Sequence, residues 1–321
     1  MLLAAATVPL PAHAQPSCEA VGGQLVVLER GQIRATIPLP QEEVLAGRTC
    51  GFDAWTDAVD GRVVWLTQDR HEAAVAHVAD LDGRELAQAR LPHWPYHGIT
   101  WTGERFAYAT MDPDGEGISL VWVEPDGAFT IRPVAYGWFV GLHGGVGWFL
   151  DTGSRTVTLV GFADDEVRQR SLDEAGVPAS HGFLLANGAW AVFRQGGAYD
   201  AVAWDGSARR PNIVDPAPTH GRLPEVLLDD DRVLSTRYTG AAGGLHLWVD
   251  TVDLRTGQRA EEGPLPGALV AARGDLWILA VPEGAMPAQW PESGHDARAA
   301  AGGMLLAVAL LGMATWRRHA S

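Results

Sequence analysis

The chain has 321 residues, a formal net charge of −15 and no lysine. This length is enough for one large packed core. The acidic balance argues against nucleic acid and anionic membrane surfaces as partners, and the missing lysine excludes Schiff-base chemistry and a P-loop phosphate site.

The N-terminal segment has the features of an export signal. It begins with an apolar run, and Ala12 and Ala14 then give the small-x-small pattern that signal peptidase cleaves. We expect a signal peptide at residues 1–14 and a mature chain that starts at Gln15. The two cysteines, Cys18 and Cys50, suit an oxidising compartment, so we predict a disulfide between them.

One set of turn sequences recurs about every 41 to 44 residues, and each turn separates two short apolar runs. That period is typical of four-stranded propeller blades. The turns are Asp60-Gly61, Gly103-Glu104, Gly144-Gly145, Asn187-Gly188, Asp229-Asp230-Asp231 and Gly274-Asp275. We assign them to the A–B hairpins of successive blades, which have strands A to D.

A second set of turn sequences alternates with the first and marks the C–D hairpins. Several are Asp-Gly pairs, which favour type I′ turns because both central residues need positive φ. The turns are Arg30-Gly31, Asp82-Gly83, Asp126-Gly127, Asp164-Asp165, Asp205-Gly206 and Thr256-Gly257. Runs of four to eight apolar residues between turns are too short for helices, so the domain is predicted to be all-β.

The two chain ends supply the halves of one blade. The first strands (residues 25–28 and 32–39) form a C–D pair, and the last (268–272 and 276–281) form an A–B pair. Their pairing would close a ring and remove exposed sheet edges. The sequence therefore predicts a closed six-bladed β-propeller over residues 15–281. It resembles WD40, kelch and PQQ-type propellers in general architecture.

Tryptophans recur in or beside the predicted strands, as expected if large rings fill the gaps between blades. They are Trp55, Trp65, Trp101, Trp122, Trp148, Trp190, Trp204, Trp248 and Trp277.

Three histidines fall in predicted D–A connections, on the face where propellers usually hold ligands. These are His97, His181 and His220. Three imidazoles can hold Zn²⁺ or a related divalent metal and leave a position open for water or substrate. Residues of the B–C connections on the same face could add oxygen ligands or a general base: Asp69, His71, Asp112 and Asp114. The alternative is structural, with each histidine holding its own repeat together.

The C-terminal region is predicted to form a membrane anchor. Residues 282–298 are rich in Pro, Gly and Ala and are typical of a flexible stalk. Residues 299–316 are uncharged and just long enough to span a membrane as a helix. Arg317 and Arg318 in the basic tail, residues 317–321, place the C-terminus in the cytoplasm.

Within this tail, Gly302-Gly303, the apolar run of residues 304–314 and the arginine pair resemble bacterial GlyGly-CTERM sorting tails. That resemblance implies cleavage near the glycines by a rhomboid-type sortase and transfer to the cell surface. A plain single-pass anchor is the alternative.

These features predict an exported propeller on the periplasmic or cell-surface side of a bacterial membrane. We expect a binding module for a protein or glycan ligand, attached to the membrane by its C-terminal helix. The alternative is a metal-dependent lyase or hydrolase acting on an extracellular carbohydrate or lactone, with the three histidines as metal ligands and Asp112 or Asp114 as base. A purely structural envelope component is a third possibility.

Overall fold

The computed structural model describes residues 23–39, 43–45, 56–69, 73–112, 117–182, 184–214, 226–241, 244–265 and 267–282. The regular elements within these ranges are β-strands arranged in six sheets. The chain begins with β1 (Gly23–Glu29) and β2 (Gln32–Pro38). Blade I follows, with β3 (Glu43–Leu45), β4 (Thr56–Val59), β5 (Arg62–Asp69), β6 (Ala74–Asp80) and β7 (Glu85–Arg90). Both β3 and β4 pair with β5.

Blades II to V are four-stranded antiparallel sheets. Blade II has β8 (Thr100–Trp101), β9 (Phe106–Met111), β10 (Ile118–Val123) and β11 (Phe129–Val134). Blade III has β12 (Trp138–His143), β13 (Val146–Asp151), β14 (Thr156–Gly161) and β15 (Val167–Ser171). Blade IV has β16 (Leu184–Ala186), β17 (Trp190–Gln195), β18 (Ala198–Ala203) and β19 (Arg209–Val214). Blade V has β20 (Val226–Asp229), β21 (Arg232–Ala241), β22 (Gly244–Asp253) and β23 (Arg259–Leu265).

Blade VI is assembled from both ends of the chain. The last strands, β24 (Ala268–Arg273) and β25 (Leu276–Pro282), join the first two in the order β2-β1-β25-β24. Strand β1 pairs with β25 in continuous antiparallel register from Gly23 opposite Pro282 to Glu29 opposite Leu276. The prediction of a composite closing blade is therefore confirmed.

The type I′ geometry expected of the turns is found in only some of the described hairpins. At the blade I turn, Asp60 has φ 49° and Gly61 has φ 70°. Positive φ at both central positions defines the type I′ turn, whose twist matches that of the flanking strands. In blade I, strand β4 is therefore followed directly by β5.

In the C–D turns Asp82-Gly83, Asp126-Gly127 and Asp205-Gly206 only the glycine has positive φ, at 83°, 88° and 71°, so that expectation was wrong for these turns. The physical reason is loop length: β6 ends at Asp80 and β7 begins at Glu85, so the chain needs a longer turn than the two-residue type I′.

The hydrophobic core consists of six clusters, and each one joins two neighbouring blades. The cluster between blades VI and I contains Leu25, Val27 and Ile278 together with Val63 and Trp65. Six buried tryptophans fill these gaps, as the sequence predicted: Trp65, Trp101, Trp122, Trp148, Trp190 and Trp277. The cycle of clusters returns from blade VI to blade I, so the six-bladed ring is closed by packing as well as by strand pairing.

The predicted signal peptide, Cys18, Cys50 and the C-terminal helix lie outside the described residues, as does the predicted stalk from residue 283 onward. Pro282, which was predicted as the first residue of the stalk, is instead the last residue of β25 and pairs with Gly23. Within the described segments, no helix is long and apolar enough to cross a membrane.

Candidate functional site

The ring has two faces. We call the side with the D–A and B–C connections the loop face, and the side with the A–B and C–D hairpin turns the turn face. The sequence-based metal hypothesis concerns the loop face. His220, His71 and Asp114 lie outside the described residues, so that hypothesis stays a prediction.

Two of the three candidate histidines are described, and both lie on the loop face. The His97 ring contacts the rings of Tyr96 and Phe139, with centroids 4.4 and 6.2 Å away. His181 Nδ1 lies 3.1 Å from the carbonyl oxygen of Pro178. It borders a cavity of about 420 Å³ together with Arg155.

The described carboxylates of this face hold their own loops. Asp69 Oδ1 accepts a hydrogen bond from the Ala73 amide at 2.9 Å, and Asp112 Oδ1 accepts one from the Ser119 hydroxyl at 2.6 Å. Among the described residues, no three His, Cys, Asp or Glu side chains are grouped so that they could hold a metal ion.

Ionisable residues instead meet at the turn-face end of the central channel. The last residue of strand A pairs with the first residue of strand B in most blades, so these positions share one level around the axis. At this level blades III, V and VI carry His143, Asp229 and Arg273. Blades I and II have apolar Val59 and Trp101 there.

Asp57 in β4 is a buried carboxylate that connects three blades. Its Oδ1 accepts hydrogen bonds from the amides of Ala58 at 2.9 Å and Gly144 at 2.8 Å. Its Oδ2 accepts from the Thr100 hydroxyl at 2.7 Å and the Gly145 amide at 3.2 Å. Blades I, II and III therefore share one buried acceptor.

Asp229 is a second buried carboxylate, and it connects blades V and VI. Its Oδ2 accepts hydrogen bonds from the Gly274 amide and the Arg232 guanidinium, both at 2.8 Å. Burial raises the pKa of Asp229, but His143 and Arg232 outweigh that effect and hold the pKa below its ordinary value of 3.8. The carboxylate is therefore ionised near neutral pH.

His143 lies between these two carboxylates, and we call Asp57, His143 and Asp229 the axial triad. Its Nδ1 is 3.8 Å from Asp57 Oδ1 and its Nε2 is 3.7 Å from Asp229 Oδ1. The imidazole is 9% exposed and each carboxylate 1%. His143 Nε2 and Asp229 Oδ1 are both buried without a hydrogen-bond partner.

A cavity of about 400 Å³ opens at this end of the channel, beside His143 and Arg273. It adjoins a larger cavity of about 820 Å³ that we call the groove, and the two share the lining residues Gly188, Ala189 and Asp231. The groove runs between β15 of blade III and the hairpin turns of blades IV and V.

One wall of the groove is rigidly built. Asp231 accepts hydrogen bonds from Trp190 Nε1 at 2.8 Å and from Arg255 Nε at 2.6 Å. The partly exposed Trp204 donates its Nε1–H to the Asn187 carbonyl at 2.7 Å. These bonds fix both indole rings, so the wall is preformed.

Two arginines of the groove keep their charge unpaired. Arg210 donates to the Leu254 carbonyl at 3.0 Å and to the Arg255 carbonyl at 2.5 Å. Arg170 donates to the Gln169 carbonyl at 3.2 Å, while its Nε is buried without a partner. In the described part of the chain, no carboxylate lies within 4.0 Å of either guanidinium.

No family model matches the sequence, and no curated protein matches it. Among solved structures, the chain is similar to AztD from Citrobacter koseri, with 18% identity and a TM-score of 0.32 over 78% of this chain and 65% of that one. It thus covers less than two thirds of that protein. Apo AztD from the same organism gives 14% identity and a TM-score of 0.35 over 81% and 98%. The β-propeller domain of the Trilobed protease from Pyrococcus furiosus gives 8% identity and a TM-score of 0.36 over 68% and 72%.

Proposed function

We propose that the protein is a binding module that holds a carboxylate-bearing ligand in the groove. The observation that carries this proposal is the pair of guanidiniums, Arg170 and Arg210, that lack a carboxylate partner in a cavity of about 820 Å³. Arginine is the side chain best suited to grip a carboxylate through two parallel hydrogen bonds.

The other charged side chains of the groove are consistent with a negatively charged ligand. Asp231 is neutralised by Arg255, and Asp205 caps its own turn by accepting from the Ser207 amide at 2.9 Å. Glu174 is the remaining carboxylate of the lining, and it is exposed. The partly exposed face of Trp204 would pack against the apolar or sugar-ring part of the ligand. A preformed wall of this kind lowers the entropy cost of binding.

Calorimetric titration of the full chain in detergent tests this proposal with matched probe pairs. Oligogalacturonate is compared with its methyl ester, and an acidic peptide with its amidated form, so that each pair differs mainly in charge. We expect one acid to bind and its uncharged partner to bind at least about tenfold more weakly, a difference of about 1.4 kcal/mol. The pair that responds tells whether the ligand is a glycan or a peptide.

Variants then assign the binding to the groove. Arg210→Ala is expected to weaken the acid probe about tenfold, and Glu174→Gln to strengthen it, because it removes a like charge. Arg84→Ala, an exposed arginine on a blade I turn far along the chain from the groove, is the matched control. Equal affinity for acid and ester, or equal loss in the Arg84 and Arg210 variants, would overturn the proposal.

We further propose that this module works outside the cytoplasm, attached through its C-terminal tail. The support is the signal-like segment 1–14 and the apolar run 299–316 followed by Arg317 and Arg318. Protease added to intact spheroplasts should digest the propeller, and a stop codon after residue 298 should release it from the membrane fraction. Protection from protease would contradict export.

A further inference from the structure

Two buried polar atoms of the axial triad, His143 Nε2 and Asp229 Oδ1, lack hydrogen-bond partners in the described chain. A neutral imidazole carries one N–H and can donate to only one carboxylate, whereas an imidazolium carries two donors on opposite sides. His143 has a buried carboxylate facing each ring nitrogen, at 3.8 and 3.7 Å. The unpartnered Nε2 and Oδ1 atoms face each other at 3.7 Å, so a proton on Nε2 would give the carboxylate a donor once the two atoms move to hydrogen-bond distance.

Of the two carboxylates in the triad, one has a cation as a hydrogen-bond donor and the other does not. Arg232 pairs with Asp229 at 2.8 Å, and Arg273 lies 3.6 Å from Asp230. Asp57 differs, because its hydrogen-bond donors in the described chain are all neutral: three amides and a hydroxyl. A buried carboxylate without a cation is costly, and the ionisable side chain closest to supplying one is His143. The charged groups that face the imidazole or border its cavity are Asp57, Asp229, Asp230, Asp231, Arg232, Arg255 and Arg273.

We propose that His143 is a proton-binding site that locks the ring at its axis. When protonated, the imidazolium donates from Nδ1 to Asp57 of blade I and from Nε2 to Asp229 of blade V, and so ties both to blade III. The neighbouring cavity gives solvent protons access to the site. Loss of the proton leaves one carboxylate unbridged and loosens the turn-face end of the channel.

This device gives the stability of the native state a defined pH dependence. A bridge to both carboxylates exists only while both ring nitrogens carry a proton. The stabilisation is therefore present in mild acid and is lost as the pH rises and the imidazole becomes neutral. Asp229 acts in the opposite direction, because its lowered pKa stabilises the fold above about pH 4 and that contribution disappears in stronger acid.

Thermal unfolding of the wild type and of His143→Gln between pH 5 and 8.5 tests the proposal. We expect the variant to melt about 3 °C lower at pH 5.5 and the gap to close by about pH 8. His181→Gln is the matched control, since the described chain places no carboxylate against that ring; its gap should not vary with pH. A gap for His143→Gln that is constant or that widens with pH would overturn the proposal.

A second measurement covers the case in which His143→Gln fails to fold. Two-bond ¹H–¹⁵N spectra of the wild type labelled at histidine report directly on both ring nitrogens. We expect an imidazole with both nitrogens protonated at pH 6 whose signal pattern is lost selectively in Asp57→Asn. The other buried histidine of the described chain, His77, lies 2.8 Å from Glu85 and is the internal reference, because Asp57→Asn leaves its partners in place. The absence at pH 6 of any such pattern that depends on Asp57 would exclude the lock.

Discussion

Asp57 is a buried carboxylate that links three blades at the turn-face end of the central channel. It accepts from three backbone amides and one hydroxyl, and the donors belong to blades I, II and III. Gly144 and Gly145 form the A–B turn of blade III, so this carboxylate fixes the position of a turn contributed by a non-neighbouring blade. Hydrogen bonds to an ionised acceptor are among the stronger ones in proteins.

We therefore expect Asp57→Asn to be costly although it changes little in volume. The amide group retains one acceptor oxygen but turns a donor toward Thr100 or the glycine amides, which leaves buried donors unpaired. The free energy of unfolding should fall by about 2–4 kcal/mol, measured by urea denaturation.

Asp126→Asn makes the same chemical change at an exposed turn and serves as its control. Asp126 Oδ1 accepts only the Ala128 amide at 2.9 Å. Its loss should stay within about 0.5 kcal/mol. Similar losses for the two variants would mean that the Asp57 network contributes no more than an ordinary turn.

The sequence does not single out the axial residues, for a reason that lies in the repeat itself. Histidines recur in the D–A connections and so indicate a site there, whereas His143, Asp229 and Arg273 differ in type from the residues at the same position of the other blades. Aligning the last residue before every A–B turn would have placed these three at one level. Their distances could not be predicted, because they depend on how the six blades close around the axis.

At the scale of single elements, the hairpins were the most predictable part of the structure. A glycine has positive φ in most of these turns, an angle that few other residues adopt, so the turn positions follow from local chemistry. The turn type does not, because it also depends on the number of residues between the strands. The connections between blades carry weaker signals, since their course is set by packing against the next sheet. Gly137, at the entry to β12, is one such position.

Gly137 lets us separate backbone strain from steric clash. It has φ 96°, and a Cβ there would collide with the Leu150 carbonyl and the Asp151 Cα. Gly103 has nearly the same angle, φ 99°, but nothing within 4 Å of the added atom. Gly103→Ala should cost about 1–2 kcal/mol from strain alone, and Gly137→Ala about 1–3 kcal/mol more.

Urea midpoints of the two alanine variants measure the difference. The neighbours of Gly137 are backbone atoms of β13, so they cannot move aside as a flexible side chain would. If the free energy of unfolding falls equally in both variants, the short distance between Gly137 and the backbone of β13 does not constrain the blade.

At the scale of the whole molecule, closure of the ring follows from where the chain starts and ends. The chain opens between strands B and C of blade VI, so seven residue pairs of β1 and β25 hold the ring together. Because Gly23 and Pro282 are paired neighbours, a short hairpin linker could join them without disturbing either strand. New termini could then be placed elsewhere on the ring.

Two circular permutants built on this junction distinguish closure by strand pairing from closure by packing alone. One opens at Gly196-Gly197, between strands B and C of blade IV, and reproduces the native arrangement in another blade. The other opens at Gly176, between blades III and IV, where side chains such as Leu172 and Leu184 meet but no strands pair. Both sites are turns with open space around the glycine.

We expect the first permutant to unfold near the wild-type urea midpoint and the second at a clearly lower urea concentration. Only the first permutant has a blade whose strands come from both ends of the chain and pair with each other. The effect belongs to ring closure and not to the junction, since the linker is identical in the two proteins. Loss of a continuous strand pair exposes sheet edges and allows neighbouring blades to separate. A second permutant as stable as the first would show that packing between blades suffices to close this ring.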